Sequence, residues 1–315
     1  MSEYGMMQSQ ECLQFPKCKV CVLMSTYNGA RFLNDQIESL LNQDYEETSI
    51  LVRDDGSKDD TTRILEEYSC QGKLTWYQGE NLGPARSFLN LLRNSPEADY
   101  YAFCDQDDVW LTDKLSSAIE KLDARETCMK CYFSSYRAVD VQLNPIDMPL
   151  QPFIPQRLSA AIVKNSATGC TMVISKALRK ALNAYEPKCI DMHDWWAYLV
   201  CLSLDGDVVY DSQPHILYRQ HGNNVVGVDS GLARRVRRRL SQRGRLGVKR
   251  SEHARELLAG YGERMHSETR SLLESLANYN RNAWSRIRFA IGNEFHCGVV
   301  ATDILFRWDA MMGYL

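Results

Sequence analysis

Apolar and polar residues alternate in blocks along the first hundred residues of the chain. Short apolar runs of the kind that form buried strands are separated by longer segments whose apolar residues recur at helical spacing. The strand-like runs are KVCVLMST, TSILVRDD, KLTWYQ and YYAFCD, and the helical segments are ARFLNDQIESLLNQ, DDTTRILEEY and PARSFLNLLRN. Strands that alternate with helices predict an α/β fold with a single, mostly parallel sheet and helices on both of its faces.

The middle of the chain continues this pattern less regularly. We predict a helix near residues 112–122, a strand near 129–135, an apolar segment TGCTMVIS, a helix that carries HDWWAYLVCLSL, and two short strands within 208–218. Beyond residue 231 an arginine-rich run precedes further helical stretches. The pattern therefore divides the chain into an N-terminal tail (1–18), a main α/β domain (19–228) and a basic C-terminal helical extension (229–315).

The composition is that of an ordinary globular protein, because 44% of the 315 residues are hydrophobic and 24% are charged. It excludes a disordered chain, a collagen and a coiled coil. No stretch approaches the roughly 18 to 20 uninterrupted apolar residues that span a bilayer. The start, MSEYGMMQSQEC, has neither the basic nor the apolar region of a signal peptide. We therefore expect a cytoplasmic protein.

The eleven cysteines are scattered, and many lie inside apolar runs, as is typical of reduced thiols in a core. Two CxxC pairs, Cys18 with Cys21 and Cys128 with Cys131, offer the four thiolates of a zinc site. Cys21 falls in the first strand-like run, however, where alternate side chains point to opposite faces of the sheet. The pattern therefore favours reduced thiols over a zinc site.

The net charge of −3 hides an asymmetry between two parts of the chain. From residue 231 onward, 16 basic residues stand against 8 acidic ones, which leaves −11 for residues 1–230. In the basic part, Leu232, Val236 and Leu240 recur every fourth residue among five arginines, as in a short amphipathic helix. Such a helix can bind an anionic membrane surface, and a solvated face or a disordered arm fits the pattern equally well.

Two of the predicted strands end in acidic clusters. Asp54 and Asp55 follow the second strand, and Asp105, Asp107 and Asp108 follow the fourth. Crowded acids raise one another's pKa unless a cation neutralises them, so the second cluster is a candidate site for a hard metal ion, and a solvated turn is the alternative. The first cluster can accept hydrogen bonds from a base or ribose, or it belongs to a capped helix start. Together the two clusters favour a nucleotide at the sheet edge with its phosphates on a metal. No GxGxxG follows the first strand and no P-loop motif occurs, which argues against a dinucleotide-binding or P-loop protein.

The motifs together resemble one known family, the inverting nucleotide-sugar glycosyltransferases of family 2, which have the GT-A fold. The resemblance covers roughly residues 19–228, and the motifs follow the order of the family. They are STYNGARFLNDQIESLLNQ, VRDDGSKDDT, NLGPARSF, FCDQDDVW, TGCTM, HDWW and YRQHGNNVVG. The set is most similar to the rhamnosyltransferase-like branch that builds bacterial surface polysaccharides.

The resemblance implies a set of residues that bind the nucleotide. Asp55 accepts a hydrogen bond from the ring N–H of a pyrimidine base, and Thr26, Tyr27 and Arg86 contact the same nucleotide. Asp107 faces the ribose. For Tyr27 and Arg86 the residues themselves leave an alternative open, namely packing and a surface ion pair.

The resemblance also implies a bound Mn²⁺ or Mg²⁺ that bridges the two phosphates of the donor. Asp108 and His221 are its implied protein ligands. His221 lies in a Gly/Asn-rich loop directly after an apolar run, from which it can reach back to the sheet edge. An imidazole ligand favours Mn²⁺ over Mg²⁺ modestly.

Asp194 is the implied catalytic base. Inverting transfer needs a carboxylate opposite the departing diphosphate, where it takes the proton of the acceptor hydroxyl. The family more often has Glu-Asp where this chain has His193 and Asp194, and an ordinary helix cap is the alternative for Asp194. Gly169, Trp195 and Trp196 are expected to shape the sugar and acceptor pockets, because glycine permits close approach and aromatic faces stack on sugars.

These inferences predict an inverting, metal-dependent glycosyltransferase that moves a sugar from a nucleoside diphosphate donor to a growing cell-surface polysaccharide or a lipid-linked glycan. Rhamnose from dTDP-rhamnose is the candidate donor, and the enzyme is expected at the inner face of the cell membrane, with no nucleic-acid partner. One alternative is a sugar-1-phosphate nucleotidylyltransferase, which needs a glycine-rich phosphate loop after the first strand. Another is a nucleic-acid-binding protein that acts through its arginine-rich segment.

Overall fold

A computed structural model describes residues 18–147, 155–221 and 248–315 of the chain. Their strands form one sheet in the order β3-β2-β1-β4-β7-β6-β8-β5. The strands are β1 (Val20–Thr26), β2 (Thr48–Asp54), β3 (Thr75–Gln78), β4 (Tyr100–Cys104), β5 (Val109–Trp110), β6 (Lys130–Val139), β7 (Val173–Ser175) and β8 (Asp207–Arg219).

Seven helices accompany the sheet within residues 18–221, and four more follow from residue 250. The first seven are α1 (Ala30–Leu41), α2 (Thr61–Cys70), α3 (Pro84–Asn94), α4 (Lys114–Asp123), α5 (Leu158–Val163), α6 (Lys176–Ala184) and α7 (His193–Ser203). The other four are α8 (Arg250–Tyr261), α9 (Ser267–Ala277), α10 (Ala283–Ile291) and α11 (Val300–Met312). No helix within the described ranges is both long and apolar enough to cross a membrane.

Strands β3, β2, β1 and β4 are parallel neighbours, as the alternating pattern predicts. The other half of the sheet is mixed, because β7 runs antiparallel to both β4 and β6. Residues 208–218, predicted as two short strands, lie in the single strand β8. Its register against β6 shifts between Asp211 and Pro214, where proline cannot donate to the ladder. The prediction of two strands there was therefore wrong.

Both faces of the sheet are buried, which explains why β1 is an almost continuous apolar run. Cys21 and Leu23 belong to the core on one face, whereas Val22 and Met24 belong to the core on the other. Successive side chains of a strand point to opposite faces, so only a strand covered twice is apolar at every position. The predicted layers of helix, sheet and helix are present.

The C-terminal helices pack into the core of the sheet domain. Leu257 and Tyr261 of α8, Leu273 of α9 and Phe306 of α11 belong to the same hydrophobic cluster as Trp196 of α7. Residues 248–315 contain nine basic and eight acidic residues, so nearly all of the basic excess lies in residues 231–247. That segment, with Leu232, Val236 and Leu240, lies outside the described residues, as do the tail 1–17 and the expected boundary near 228.

The four cysteines of the alternative zinc site do not form a metal cluster in the described part of the chain. All four are free thiols; Cys21 and Cys131 are buried, while Cys128 is exposed. Burial raises the pKa of Cys21 to about 11, which keeps this thiol protonated. The preference for reduced thiols agrees with this arrangement.

Candidate active site

Hydrogen bonds tie together the loops that follow β1, β2 and β4. The Tyr27 N–H donates to Gln106 Oε1 at 2.8 Å, and Gln106 Nε2 donates back to the Tyr27 carbonyl at 3.2 Å. The Asn28 N–H donates to Ser57 Oγ at 2.8 Å. A Cβ at Gly29 would overlap the Gln106 side-chain amide, so a larger residue there would displace the amide that bonds to Tyr27. The carboxyl ends of these three strands therefore form one braced edge, where α/β sheets bind ligands.

The two aspartates after β2 have different surroundings. Asp54 shapes the turn, because its carboxylate accepts from the Ser57 N–H at 2.9 Å and from the Thr26 hydroxyl at 3.1 Å. Asp55 accepts from the Leu82 N–H at 3.2 Å, so it faces the loop between β3 and α3. Thr26, predicted to contact the nucleotide, is buried, and its hydroxyl donates to the Asp54 carboxylate that shapes the turn.

Tyr27 and Arg86, the other predicted nucleotide residues, are accessible. The Tyr27 side chain is among the few large apolar side chains of the described sheet domain that are exposed. The Arg86 guanidinium donates to the Lys188 carbonyl at 3.0 Å, so it links the start of α3 to the loop that precedes α7. The Tyr27 ring is therefore available to a ligand. Arg86 is exposed too, and its bond to the Lys188 carbonyl gives it a structural contact as well.

Arg53 is a buried arginine that the sequence pattern did not single out. Its guanidinium pairs with the Asp55 carboxylate and donates to Ser87 Oγ at 3.1 Å and to the Glu80 carbonyl at 2.8 Å. Gly79 makes room for it, because a Cβ there would lie 2.6 Å from Arg53 Nη2. A cleft of about 430 Å³ opens beside the pair. The available signal was a charged residue within an otherwise apolar strand.

The acidic loop after β4 directs Asp107 toward His221. His221 Nε2 lies 2.6 Å from Asp107 Oδ2. Asp108 is fully buried instead, and its Oδ1 accepts from the Arg219 N–H at 3.0 Å. The loop bends at Gln106 and Asp107, and the two aspartates have different surroundings: Asp107 is partly exposed beside His221, whereas Asp108 is buried. The structure therefore pairs the predicted ligand His221 with Asp107 rather than with Asp108.

Arg219, at the end of β8, holds this loop in place. Its Nε donates to the Asp107 carbonyl at 2.8 Å, and its Nη2 donates to Asp35 Oδ2 at 3.0 Å. The Phe32 ring lies 4.5 Å from the Arg219 guanidinium and 5.1 Å from the His221 ring. Arg219 thus fixes both partners of the Asp107–His221 pair, a role that became visible only in the folded chain.

Three carboxylates lie near one another at this edge. Ligand atoms of Asp105 and Asp108 lie within 4.8 Å of Cys170, and the preceding residue, Gly169, lies against the Asp194 carboxylate of α7. Burial raises the pKa of Asp105 above its usual range, and the charges of Asp107 and Asp194 raise it further. Crowded carboxylates of this kind are a setting in which a divalent cation binds favourably.

Within the described ranges, two sets of side chains could hold a metal ion at this edge. Ligand atoms of Asp105, Asp108 and Cys170 lie within 4.8 Å of one another. Burial raises the pKa of the Cys170 thiol well above its usual value, so this set offers a protonated thiol in the interior. The Asp107 carboxylate and the His221 imidazole, in contrast, are only partly buried and offer the oxygen and nitrogen donors that suit Mn²⁺ or Mg²⁺. The Asp107–His221 pair fits a metal that must reach a diphosphate.

Asp194 lies in the first turn of α7, where its Oδ1 accepts from the Trp195 N–H at 2.5 Å. The N-cap of α7 is Met192, so Asp194 is not the helix cap that the alternative interpretation requires. Burial raises the pKa of Asp194 to about 6, although several hydrogen bonds, one of them from the Gly169 backbone, oppose the shift. Asp194 is therefore a weak acid that is ionised at neutral pH.

Gly169 and His193 surround the Asp194 carboxylate. A Cβ on Gly169 would lie 2.9 Å from His193 Nε2 and 3.3 Å from Asp194 Oδ2, so only glycine fits. The His193 ring stacks on Phe88 at 3.9 Å and meets the edge of Phe103 at 4.7 Å. Burial lowers the pKa of His193 to about 3, so its ring is neutral and does not cancel the charge of Asp194.

The two tryptophans after Asp194 do not line a sugar pocket. Trp195 is buried, and its indole N–H donates to the Ala161 carbonyl at 2.9 Å. Only 1% of Trp196 is exposed, and its ring packs toward Tyr261 of α8 at 6.2 Å. Every residue of α7 from His193 to Cys201 is buried, so both rings belong to the core. The expectation that Trp195 and Trp196 stack on a sugar is therefore corrected.

Comparison with known proteins assigns the fold and the family. A model of glycosyl transferase family 2 matches residues 21–183. The dTDP-rhamnosyl transferase RfbG of Shigella flexneri is 30% identical over 231 residues, 68% of this chain and 77% of that protein. The structure of S. aureus TarS in complex with UDP-GlcNAc covers 94% of this chain and 91% of the TarS chain, with a TM-score of 0.55 and 18% identity.

A mannosyltransferase from Pyrobaculum calidifontis, PcManGT, in complex with GDP-Man and Mn²⁺, is a further structural neighbour. It covers 95% of this chain and 87% of its own, with a TM-score of 0.52 and 14% identity. These likenesses confirm the predicted GT-A fold, and the sequence matches confirm the predicted family and enzyme class. The chain is a glycosyltransferase and belongs to glycosyl transferase family 2.

Proposed function

We propose that this enzyme transfers a sugar from a nucleoside diphosphate donor to an acceptor hydroxyl with inversion at the anomeric carbon. One observation carries the proposal: Asp194, a buried carboxylate with a pKa raised to about 6, lies near the acidic loop that holds the Asp107–His221 pair. An acid of this kind is suited to act as a general base near neutral pH. In this proposal the donor diphosphate binds at the Asp107–His221 pair.

The nucleotide side of the site consists of Asp55, Tyr27 and Arg86. In this proposal the Asp55 carboxylate accepts the ring N–H of the base, and Arg53 holds that carboxylate in position. The Tyr27 ring is exposed at the same edge and contacts the nucleotide. Arg86 contributes positive charge beside it.

Asp107 and His221 would hold the divalent cation, which supplies positive charge to the departing diphosphate. The sequence motifs predicted that Asp108 binds the metal and that Asp107 contacts the ribose. In this proposal Asp107 binds the metal instead of Asp108, and no ribose contact is assigned to Asp107. Asp108 supports the loop through the Arg219 backbone. Arg219 keeps the Asp107 carboxylate and the His221 ring facing each other, which reduces the reorganisation needed when the donor binds.

Transfer then proceeds in one displacement. The acceptor oxygen forms a bond to the anomeric carbon as the bond from that carbon to the diphosphate oxygen breaks, and Asp194 takes the acceptor proton. The electron pair of the broken bond leaves with the diphosphate. Because the base and the leaving group lie on opposite faces of the sugar, the configuration inverts. Gly169 permits the acceptor and the Asp194 carboxylate to approach closely.

The proposed donor is dTDP-rhamnose, and the proposed acceptor is a lipid-linked or growing cell-surface glycan. Support for both comes from the Shigella relative, a dTDP-rhamnosyl transferase, and from the rhamnosyltransferase-like motif set. The nucleotidylyltransferase alternative needs free N–H groups after β1 to grip phosphate. Those of Tyr27, Asn28 and Gly29 are already bonded to the side chains of Gln106, Ser57 and Thr61, which argues against it.

The test is a screen of nucleoside diphosphate sugars by thermal shift, with Mn²⁺ or with EDTA, followed by transfer assays on the donors that bind. A ligand that binds only the folded state raises the unfolding midpoint by mass action. We expect dTDP-rhamnose with Mn²⁺ to give the largest shift and to yield a product of inverted configuration by NMR. A retained configuration, or equal shifts with EDTA, would contradict the mechanism proposed for Asp194 or for the Asp107–His221 pair, respectively.

A further inference from the structure

The exposed apolar side chains of the described residues are concentrated on the helical hairpin of α10 and α11. Trp284 is 80% exposed, Ile304 is 61% exposed and Trp308 is 49% exposed. We call this hairpin face the α10–α11 apolar surface. Its members are Trp284, Ile287, Ile291, Val300, Ile304, Trp308, Met311 and Met312. Large exposed side chains this dense are unusual on a surface that faces only water.

The pattern along α11 is the reverse of that of an ordinary surface helix. Every exposed position of α11 is apolar, whereas Asp303, Arg307 and Asp309 are only partly exposed. The inner side of the hairpin is apolar too, because Phe306 and Ala310 are buried. An amphipathic helix in water places its charges on the exposed side. The outer side of α11 is therefore built to face something other than water.

We propose that the α10–α11 apolar surface docks this enzyme on an anionic lipid bilayer. The two tryptophans support a bilayer, because indole rings favour the level of the lipid headgroups. Arg288 is exposed on α10 between Trp284 and Ile291, where its long side chain can reach headgroup phosphates while the apolar neighbours enter the lipid. The proposal deepens the proposed function, since it brings the enzyme to a lipid-linked acceptor.

Charge favours the bilayer over a second copy of the chain. Residues 234–245 contain seven arginines and no acidic residue. The described chain resumes three residues later, at Val248, and Ser251 Oγ donates to the Leu315 carbonyl, beyond the end of α11, at 2.6 Å. The start of α8 therefore lies beside the end of α11, and the arginine-rich stretch directly precedes α8 in the sequence. In a symmetric dimer through this surface two such segments would repel each other, whereas anionic headgroups attract both.

The position of the surface suits an acceptor held in the membrane. Helix α11 packs against α5, and α5 packs against α7, which carries Asp194. The Arg250 guanidinium connects these layers, because it lies 5.8 Å from the Phe306 ring of α11 and donates to the Ile162 carbonyl of α5. One helix layer thus separates the docking surface from the helix of the proposed base.

The experiment compares vesicle binding by the full chain and by surface variants. The probe is a vesicle of phosphatidylcholine with about 30 mol % phosphatidylglycerol, without sugar donor or acceptor. Ile304→Ser and a triple variant, Trp284→Ser with Ile304→Ser and Trp308→Ser, are compared with Ile146→Ser, an exposed isoleucine of the sheet domain. We expect the triple variant to lose at least about tenfold in partition coefficient, and Ile304→Ser to lose more than Ile146→Ser.

Two further measurements separate this proposal from the proposed function. Donor hydrolysis in vesicle-free solution should be the same in the triple variant and the wild type, because no substituted residue lies in the site. If the wild-type protein did not hydrolyse the donor, that result would contradict the proposed function and leave the docking proposal unaffected. Vesicle binding that is unchanged in the triple variant would overturn the docking proposal. A wild-type dimer that the triple variant converts to a monomer without loss of vesicle binding would assign the surface to a second copy and also overturn it.

Discussion

The His221 imidazole meets the carboxylate of Asp107, and not that of Asp108, across a gap of 2.6 Å. Two elements far apart in sequence create this contact, the loop after β4 and the loop after β8. Arg219 bonds to the first and is the last residue before the second. Three acids follow β4, and the one that lies against an imidazole is Asp107, which is the metal ligand in the proposed function.

We expect Asp107→Asn to abolish metal-dependent binding of nucleoside diphosphate, because an amide is a poorer ligand for a divalent cation than a carboxylate. The matched control is Asp108→Asn. Asp108 is buried and accepts from the Arg219 N–H, and an Asn side-chain oxygen can accept the same bond, so the affinity should change less than about threefold. Calorimetry with and without Mn²⁺ measures both variants. Loss of metal dependence in Asp108→Asn alone would return the ligand role to Asp108.

Replacement of Asp194 by Asn should lower turnover by about two to four orders of magnitude and leave donor affinity nearly unchanged, as expected for a general base. Because the pKa of Asp194 is raised to about 6, wild-type turnover should rise with pH up to about 6 and then level off. Steady-state kinetics from pH 5 to 8 provide the test. Wild-type transfer by Asp194→Asn to the true acceptor would pass the role to Asp191, the nearest other carboxylate in sequence.

The same substitution should make the protein more stable at neutral pH. The pKa of Asp194 is higher in the folded chain than the ordinary 3.8, so folding becomes less favourable as pH rises past about 4, and the penalty is complete above about 6. Asn carries no charge and removes that penalty. We expect Asp194→Asn to raise the free energy of unfolding by about 3 kcal/mol at pH 7.5 and by much less at pH 4. Urea titrations at both pH values provide the comparison, and a destabilised variant at pH 7.5 would refute the burial of an ionised carboxylate.

Gly169→Ala should reduce turnover by at least about tenfold, because the new methyl group would lie 2.9 Å from His193 Nε2 and displace the Asp194 carboxylate. It should also cost about 1–3 kcal/mol of stability, as overpacking usually does. Gly262→Ala is a suitable control, since the nearest atom to its Cβ lies 4.0 Å away. Turnover and urea unfolding of both variants are compared. Equal turnover in Gly169→Ala and Gly262→Ala would show that close approach at Gly169 is unimportant.

The sheet and most of its helices could be predicted because their signals are local. Helix α3 spans Pro84–Asn94, the segment predicted for it, since proline is favourable at a first helical position. The apolar run of β1 likewise indicated burial on both faces. The length of β8 was not predictable in this way, because its bulge near Asp211–Pro214 reflects pairing with a strand about 80 residues earlier.

For the candidate site, the sequence indicated which loops carry the acidic residues, but it did not indicate the direction in which each side chain points. Local sequence places Asp107 and Asp108 at the same strand end, and only the tertiary bond from Arg219 shows which one is buried. The prediction that Trp195 and Trp196 line a sugar pocket was wrong for a related reason. Aromatic residues beside a proposed base suit a sugar pocket and a core equally well, and the deciding partner, Tyr261, lies in a helix that the motifs do not include.

The packing of Trp196 against Tyr261 has a consequence for how such enzymes diverge. The helix that carries the proposed base packs on one side against α8, which supplies none of the proposed site residues. We therefore expect mutations in α8 to alter turnover through α7 while all of those residues stay the same. In a chimera that combines the sheet of one relative with the C-terminal helices of another, we expect α7 to pack poorly against α8.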